Sequence, residues 1–315
     1  MNTPIVVVGS YVQDLSFTTN RFPAPGETII GEFLTGPGGK GSNQAVAARR
    51  AGGDVCFVGA VGADAFASVA KQFHENEGIH AKWLESKDVS SGAASIVVDA
   101  SGQNQIVVAL GANNELKSEE VCSRLPESAE IVVTQLETNP EATMETLKWG
   151  RSKGALTVLN PAPMREDFDA NVLQECDVII PNETEFVSLL KIIDPQKHAL
   201  FTEEHLTGLS GDRLHAKCRL LGVKEVVLTL GKQGAFWSSE GQYQVFPAIE
   251  GIQAVDTTGA GDAFVGGFAA GWVLFEKDFG RAVDYGVVVS GLSVTKLGTA
   301  PAMPKQEDIV AFLET

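Results

Sequence analysis

Apolar positions along the chain switch repeatedly between two periods, from short continuous β-branched runs to spacings of three and four residues. Ile5 to Val8 is a run of strand length. The Ala-rich stretch from Asn43 to Arg50 has helical spacing and stops at Gly52-Gly53. Val55, Phe57 and Val58 predict a second strand, and Phe66, Val69, Ala70 and Phe73 keep helical spacing until Gly78. The alternation resumes with a strand over Ile131–Leu136, a helix opened by Pro140, and strands at Ala155–Leu159, Asp177–Ile180 and Val226–Leu230. Such a series predicts an α/β fold, a mainly parallel sheet with helices on both faces. Ligands of such folds bind beyond the carboxyl ends of the strands. The positions to watch are therefore Glu137, Asn160, Asn182, Gly231 and the turn 256–262.

Two segments break the series. Asp14 to Gly36 and Ala93 to Leu110 alternate and are rich in Thr, Phe, Ile and Val, with turn signals at Pro23-Ala24-Pro25-Gly26 and Ser101-Gly102. They read as antiparallel hairpins inserted into the core, together forming a small sheet that acts as a lid or a dimer surface. The expected division is a core of residues 1–13, 37–92 and 111–315 and a β lid of residues 14–36 and 93–110. A chain of 315 residues suffices for one large unit with such an appendage.

Charge narrows the partners. With 24 Lys+Arg against 40 Asp+Glu, net −16, the chain is a poor match for nucleic acid or an anionic membrane. A polyanionic substrate needs local compensation from backbone dipoles, a few placed lysines and a divalent metal. The four cysteines, Cys56, Cys122, Cys176 and Cys218, lie far apart with no CxxC pair, and buried free thiols in a reducing cytosol are expected. His74, His80, His198, His205 and His215 share no metal-binding spacing and are expected mostly to face solvent. No basic segment precedes an apolar stretch near the N-terminus, so a cytoplasmic protein without a secretion signal or membrane span is expected.

The densest chemistry is Asp256-Thr257-Thr258-Gly259-Ala260-Gly261-Asp262-Ala263-Phe264, followed by an apolar run to Phe275. A turn of small residues leaves backbone N–H groups free, and a helix starting at Asp262 adds the positive end of its dipole. The result is an anion pocket with a carboxylate at its rim, suited to phosphoryl transfer with Asp262 as base. Alone, the same residues fit a tight turn with Asp262 as N-cap. Gly36-Pro37-Gly38-Gly39-Lys40-Gly41-Ser42-Asn43 lets backbone pack against a polyol, with Lys40 and Asn43 as donors; alone it also fits a flexible loop. Neither Gly39-Lys40 nor Gly231-Lys232 is followed by Ser or Thr, so neither is a Walker A loop, and no GxGxxG follows the first strand. Asn182 and Glu185 stand three apart at a helix entrance. That spacing fits a capping box and equally a hard-oxygen environment for Mg²⁺. Thr229 to Gly234 would let a nucleotide approach the backbone, and Glu137 on its own reads as a solvated carboxylate.

In this order along an α/β pattern, the motifs resemble the PfkB-type carbohydrate kinases, and among them the ribokinase group. The resemblance covers essentially the whole length. It includes Gly9-Ser10 and Asp14, Pro25-Gly26-Glu27-Thr28, Gly38-Gly39-Lys40-Gly41-Ser42-Asn43-Gln44-Ala45, Gln135-Leu136-Glu137, Asn160-Pro161-Ala162-Pro163, Pro181-Asn182-Glu183-Thr184-Glu185 and Asp256 to Asp262. It implies a three-layer αβα sandwich with an inserted β lid and an ATP-dependent kinase acting on the primary hydroxyl of a pentose. It implies Asp262 as catalytic base and Gly259, Ala260 and Gly261 as the anion hole. Asp14, Gly39, Lys40, Asn43 and Glu137 match sugar contacts, while Asn182 and Glu185 match the pair that organises Mg²⁺ and the phosphates. Thr229 and Gly231, with Asn182 and Gly261, match the nucleotide site. A monovalent cation, usually K⁺, would fall on Asp256, Thr258, Ser293, Lys296, Gly298 and Ala302, mostly through carbonyl oxygens, and the lid would mediate a homodimer.

One departure bears on the substrate. Ribose-specific members usually carry an asparagine two residues before the aspartate, where it bonds a ribose hydroxyl; this chain has Val12. A buried hydroxyl facing valine loses a partner, a loss of roughly 1–3 kcal/mol, and the family's deoxyribose kinases also place an apolar residue there. Overall similarity puts D-ribose first and 2-deoxyribose second. Nucleosides such as adenosine or pseudouridine, or a hexose, remain alternatives, as does a non-catalytic sugar-binding regulatory protein.

Overall fold

The computed structural model describes residues 5–314. Thirteen strands are present among them: β1 (Ile5–Val8), β2 (Val12–Thr18), β3 (Glu32–Gly38), β4 (Val55–Gly62), β5 (His80–Ser86), β6 (Gly92–Val98), β7 (Asn104–Ala109), β8 (Ile131–Thr134), β9 (Leu156–Leu159), β10 (Val178–Ile179), β11 (Glu225–Thr229), β12 (Ala235–Ser239) and β13 (Gln242–Phe246). Nine of them form one sheet in the order β13-β12-β11-β10-β9-β8-β1-β4-β5. From β5 to β11 every pairing is parallel, and β12 and β13 close one edge antiparallel. The α/β architecture expected from the sequence is present.

The short β-branched runs are explained by burial on both faces. In β1, Ile5 and Val7 belong to the apolar layer on one side of the sheet and Val6 and Val8 to the layer on the other. Period 2 therefore leaves no polar position, and the strand reads as an unbroken apolar run. The first layer is filled by the Lys40–Arg50, Ala260–Leu274 and Phe279–Ser293 helices, the last two packed along their lengths. The opposite face carries the Pro140–Lys153, Glu183–Ile193 and Gly211–Arg219 helices. Gly266 is what lets the Ala260–Leu274 helix approach the Lys40–Arg50 helix, because a Cβ there would stand 2.5 Å from Ala47 Cβ. That close crossing brings the first turns of the two helices side by side.

The two inserted hairpins form a single four-stranded sheet, β3-β2-β6-β7, with β2 and β6 parallel at its centre. Its strands run slightly past the expected segments, from Val12 and Gly92 and to Gly38.

Several details differ from expectation. The first long helix starts at Lys40, not Asn43, since Gly39 at φ 88° turns the chain directly out of β3. Edge strands β5 and β13, and β12 beside the latter, were not anticipated; alternation is weak in His80–Ser86, and β13 has four exposed residues. Cys122 is exposed, whereas the other three free cysteines are buried. His74 and His198 are buried instead of facing solvent. His74 lies in a box of Tyr11, Phe57, Phe73 and Trp83, and burial pushes it down to about 4. No described helix is long and apolar enough to cross a membrane.

Candidate active site

Strand order reverses around β1, with β4 on one side and β8 on the other, and the crevice beyond such a switch point is where α/β sheets hold ligands. Ser10 follows β1 and Glu137 follows β8. Their side chains meet there, Ser10 Oγ donating to Glu137 Oε2 at 2.6 Å. The same oxygen accepts from the backbone N–H of Lys40 at 2.9 Å. Glu137 is 9% exposed. It is thus a structural member of the crevice and not the solvated carboxylate its local sequence suggests.

The Asp256 to Asp262 segment makes a bend at the same crevice. Gly259 takes the left-handed conformation at φ 79°, and the helix starts at Ala260. Asp262 is therefore the third residue of the helix and not its N-cap, because Gly259 turns the chain two residues earlier than expected. The N–H of Ala260 is engaged with Thr257 O at 3.2 Å. Gly259, Gly261 and Asp262 offer amides that no carbonyl occupies, at the positive end of a 15-residue helix. The Asp262 side chain is 5% exposed and receives one donor on each oxygen: Gln44 Nε2 on Oδ1 and Asn43 Nδ2 on Oδ2, both at 2.9 Å.

Two cavities meet at Gly261. One of about 140 Å³ is lined by Lys40, Asn160, Asn182, Glu185, Gly259 and Asp262 among others. The other, about 690 Å³, runs along Thr229, Gly231 and Lys232 to an apolar end formed by Ile249, Ile252, Phe264, Val287 and Val294. Thr229, Gly231, Asn182 and Gly261 are thereby brought together on one nucleotide-sized space. A separate groove of about 350 Å³ beside the Pro140–Lys153 helix holds none of these residues.

Electrostatics set the remaining roles. Asp262 holds the Lys40 ammonium above its ordinary range against the opposing pull of burial, with Glu137 and Glu185 adding to the effect. The lysine therefore stays a cation in an otherwise acidic crevice. Burial pushes Glu185 up to about 6. Glu185 and Asn182 also form the capping box, each side chain bonding the other's backbone N–H at 2.9 Å. No cluster of three or more His, Cys, Asp or Glu able to hold a metal occurs among the described residues. One carboxylate, Glu185, with the Asn182 amide is a donor set that would suit an Mg²⁺ ion whose remaining ligands are phosphates and water.

Asp14 lies near the start of β2, in the four-stranded sheet. Burial pushes it up to about 6, with Glu137 and Asp262 acting in the same direction, while Thr299 Oγ1 donates to Oδ2 at 3.4 Å. Asp256 ties two loops together, accepting from Thr258 N at 2.9 Å and Gly298 N at 3.0 Å. Ser293 is buried with its hydroxyl on Ser290 O, Ala302 is buried, and the Lys296 ammonium turns outward to Asp308. Ser10 and Gln44 stood in the motifs without a role of their own, and Thr299 was not singled out in the sequence. The available signal was Gln44, a polar residue inside an Ala-rich helical run.

Comparison with known proteins identifies the family. The model of the pfkB family carbohydrate kinases matches residues 2–306. A deoxyribokinase of Salmonella typhi is 35% identical over 320 residues, covering 98% of each chain. A ribokinase of Haemophilus influenzae is 34% identical over 320 residues, covering 100% of this chain and 99% of that one. Among solved structures, a Thermotoga maritima ribokinase superposes with a TM-score of 0.86 at 32% identity, over 99% of this chain and 100% of that one. An Arabidopsis thaliana ribokinase complexed with ribose and ATP gives a TM-score of 0.85 at 29% identity, over the full length of both chains. A crevice of this construction on a fold of this kind, matched along the whole chain, makes the protein an ATP-dependent kinase of the pfkB carbohydrate kinase family.

Proposed function

We propose that this kinase transfers the terminal phosphoryl group of ATP to the primary 5-hydroxyl of a pentose, with D-ribose as the first substrate. The observation that carries the reading is the position of Asp262, a buried carboxylate held by two amides at the head of a helix whose free N–H groups open on both cavities. The sugar lies between core and lid with Asp14, Gly39, Lys40, Asn43 and Glu137 as partners, and its primary hydroxyl gives its proton to Asp262. The amides of Gly259, Gly261 and Asp262, with the Lys40 ammonium, hold the migrating phosphoryl group. In a loose phosphoryl-transfer transition state, positioning and charge stabilisation supply most of the rate.

ATP takes the larger cavity, with its base at the apolar end and its phosphates toward Asn182, Thr229 and Gly231. Mg²⁺ would be held by the phosphates near Glu185 and Asn182, and would supply charge neutralisation of the terminal phosphates. The carbonyls of the 256–258 bend and the 293–302 loops, tied together by Asp256, suit a monovalent cation such as K⁺. The lid exposes Phe33, Leu34, Ile106 and Val107, more apolar surface than a small solvated sheet tolerates, and supports self-association through the lid. Free thiols and the need for ATP support a cytoplasmic setting.

A second reading, 2-deoxyribose, is favoured by Val12, which is buried on β2 two residues from Asp14 and offers no polar atom to a sugar hydroxyl. The test is a coupled ADP-release assay over ribose, 2-deoxyribose, hexoses and nucleosides, with and without potassium. Highest kcat/KM on a pentose supports the reading, and preference for a nucleoside or hexose refutes it. No ADP release with any acceptor would revive a non-catalytic sugar-binding role.

A further inference from the structure

We propose that Gln44 is a positioning residue, which fixes the rotation of the Asp262 carboxylate through a chain of amides running back to the main chain. The inference rests on the reading of Asp262 as the base. Gln44 is fully buried in the Lys40–Arg50 helix. Its Nε2 donates to Asp262 Oδ1 at 2.9 Å and to Asn160 Oδ1 at 3.0 Å, and its Oε1 accepts from Gln135 Nε2 at 2.7 Å. Asn160 Nδ2 in turn donates to the carbonyl of Ile180 at 2.8 Å.

The polarity of this chain follows from its two ends. A backbone carbonyl can only accept, so the Asn160 group facing Ile180 is the NH₂ and the Asn160 oxygen faces Gln44. Gln44 then faces two acceptor oxygens, Asn160 Oδ1 and Asp262 Oδ1, and must present its NH₂ to both. That leaves Gln44 Oε1 for the NH₂ of Gln135, whose own Oε1 is buried with no partner. Each amide has one orientation, and reversing any of them sets acceptor against acceptor. Asn43 acts on the other oxygen in the same sense, its NH₂ on Asp262 Oδ2 and its own Oδ1 unpartnered.

A carboxylate acting as base must aim a lone pair at the incoming hydroxyl, and its rotation about the last side-chain bond is otherwise soft. One donor per oxygen, each presented by an amide that cannot turn over, removes that freedom before substrate arrives. Productive geometry tolerates errors of about 0.5 Å, and misplacement of about 1 Å lowers rates by as much as ~10²-fold. Gln44 touches neither cavity, and it acts through Asp262 alone.

The test compares Gln44→Met and Gln135→Met with wild type, measuring kcat and sugar KM per folded molecule and solving the ligand-free crystal structures. Gln44→Met keeps the volume and removes the donor, and kcat is expected to fall ~10–10²-fold with sugar KM within about threefold. Gln135→Met breaks only the distant link and should lower kcat in the same direction by a smaller factor. A purely structural role predicts lower thermal stability with normal kcat in the folded fraction. A kcat within about twofold of wild type for folded Gln44→Met, or a KM rise that accounts for the loss, overturns the proposal. If Gln44→Met does not fold, Gln44→Leu, which also removes the donor without adding a charge, is measured in the same way. The crystallographic arm separates this idea from the kinase assignment. Should wild type prove inactive on every acceptor, an Asp262 carboxylate within about 0.5 Å of its wild-type place in Gln44→Met still refutes the positioning role. A rotated carboxylate supports it.

Discussion

Replacing Asp14 with asparagine should make the ligand-free protein more stable while disabling it toward sugar. Burial, with the charges of Glu137 and Asp262, raises this carboxyl from 3.8 to about 6. A carboxyl raised in this way favours the folded state below its unfolded value, and that benefit is lost as the pH climbs through the folded value. The shift is about two units, 6 minus 3.8. At roughly 1.4 kcal/mol per unit, the ionised side chain destabilises the fold by up to about 3 kcal/mol at pH 8 and by less than about 1 kcal/mol at pH 4. Asp14→Asn removes the charge and keeps an oxygen for the weak Thr299 bond. Urea unfolding at both pH values reads the difference directly. The expected result is a gain on the order of 2–3 kcal/mol at pH 8 that fades by pH 4, together with a sugar KM raised ~10–100-fold by loss of a charged acceptor. An equal or lower stability of the variant at pH 8, or a gain that does not change with pH, would show that the crevice does not strain its carboxylates as argued.

Three further outcomes follow from the same geometry. Asp262→Asn should lower kcat by several orders of magnitude while a calorimetric sugar titration stays within a few-fold of wild type; a near-normal kcat removes Asp262 as base. Gly261→Ala adds a methyl that meets no protein atom within 4 Å. It should leave thermal stability equal or raise it by about 0.5–1 kcal/mol through helix propensity, yet depress kcat by crowding the phosphate; unchanged kinetics would move the anion hole elsewhere. Val12→Asn should shift the ribose-to-deoxyribose ratio of kcat/KM toward ribose by about 5–150-fold, equivalent to roughly 1–3 kcal/mol. A wild-type preference of tenfold or more for ribose over deoxyribose would already defeat the argument from Val12.

The parallel core was legible because its strands are buried on both faces, so their apolar runs stand out without alternation. The antiparallel pair β12 and β13 was not, since β13 is paired on one side only, which leaves four of its five residues exposed and its composition ordinary. Helix starts shifted wherever a glycine with positive φ preceded them, at Gly39 and Gly259, because a left-handed residue lets the helix begin without a side-chain cap. Glu137 shows the limit of local reading. Its neighbours in sequence suggest solvent, and only the approach of Ser10 and Lys40 from distant segments buries it.

The order of motifs along the chain determined the fold class, the chemistry of the glycine bend and the family, because turn geometry and strand ends depend on residues close in sequence. Tertiary structure alone decided which way the Asp262 carboxylate faces, which cations and carboxylates share its crevice, that Gln44 bonds Asp262, and that Thr299 belongs there. Those properties arise where the Lys40–Arg50 and Ala260–Leu274 helices cross, between groups more than 200 residues apart, and low-dielectric burial gives such contacts their strength.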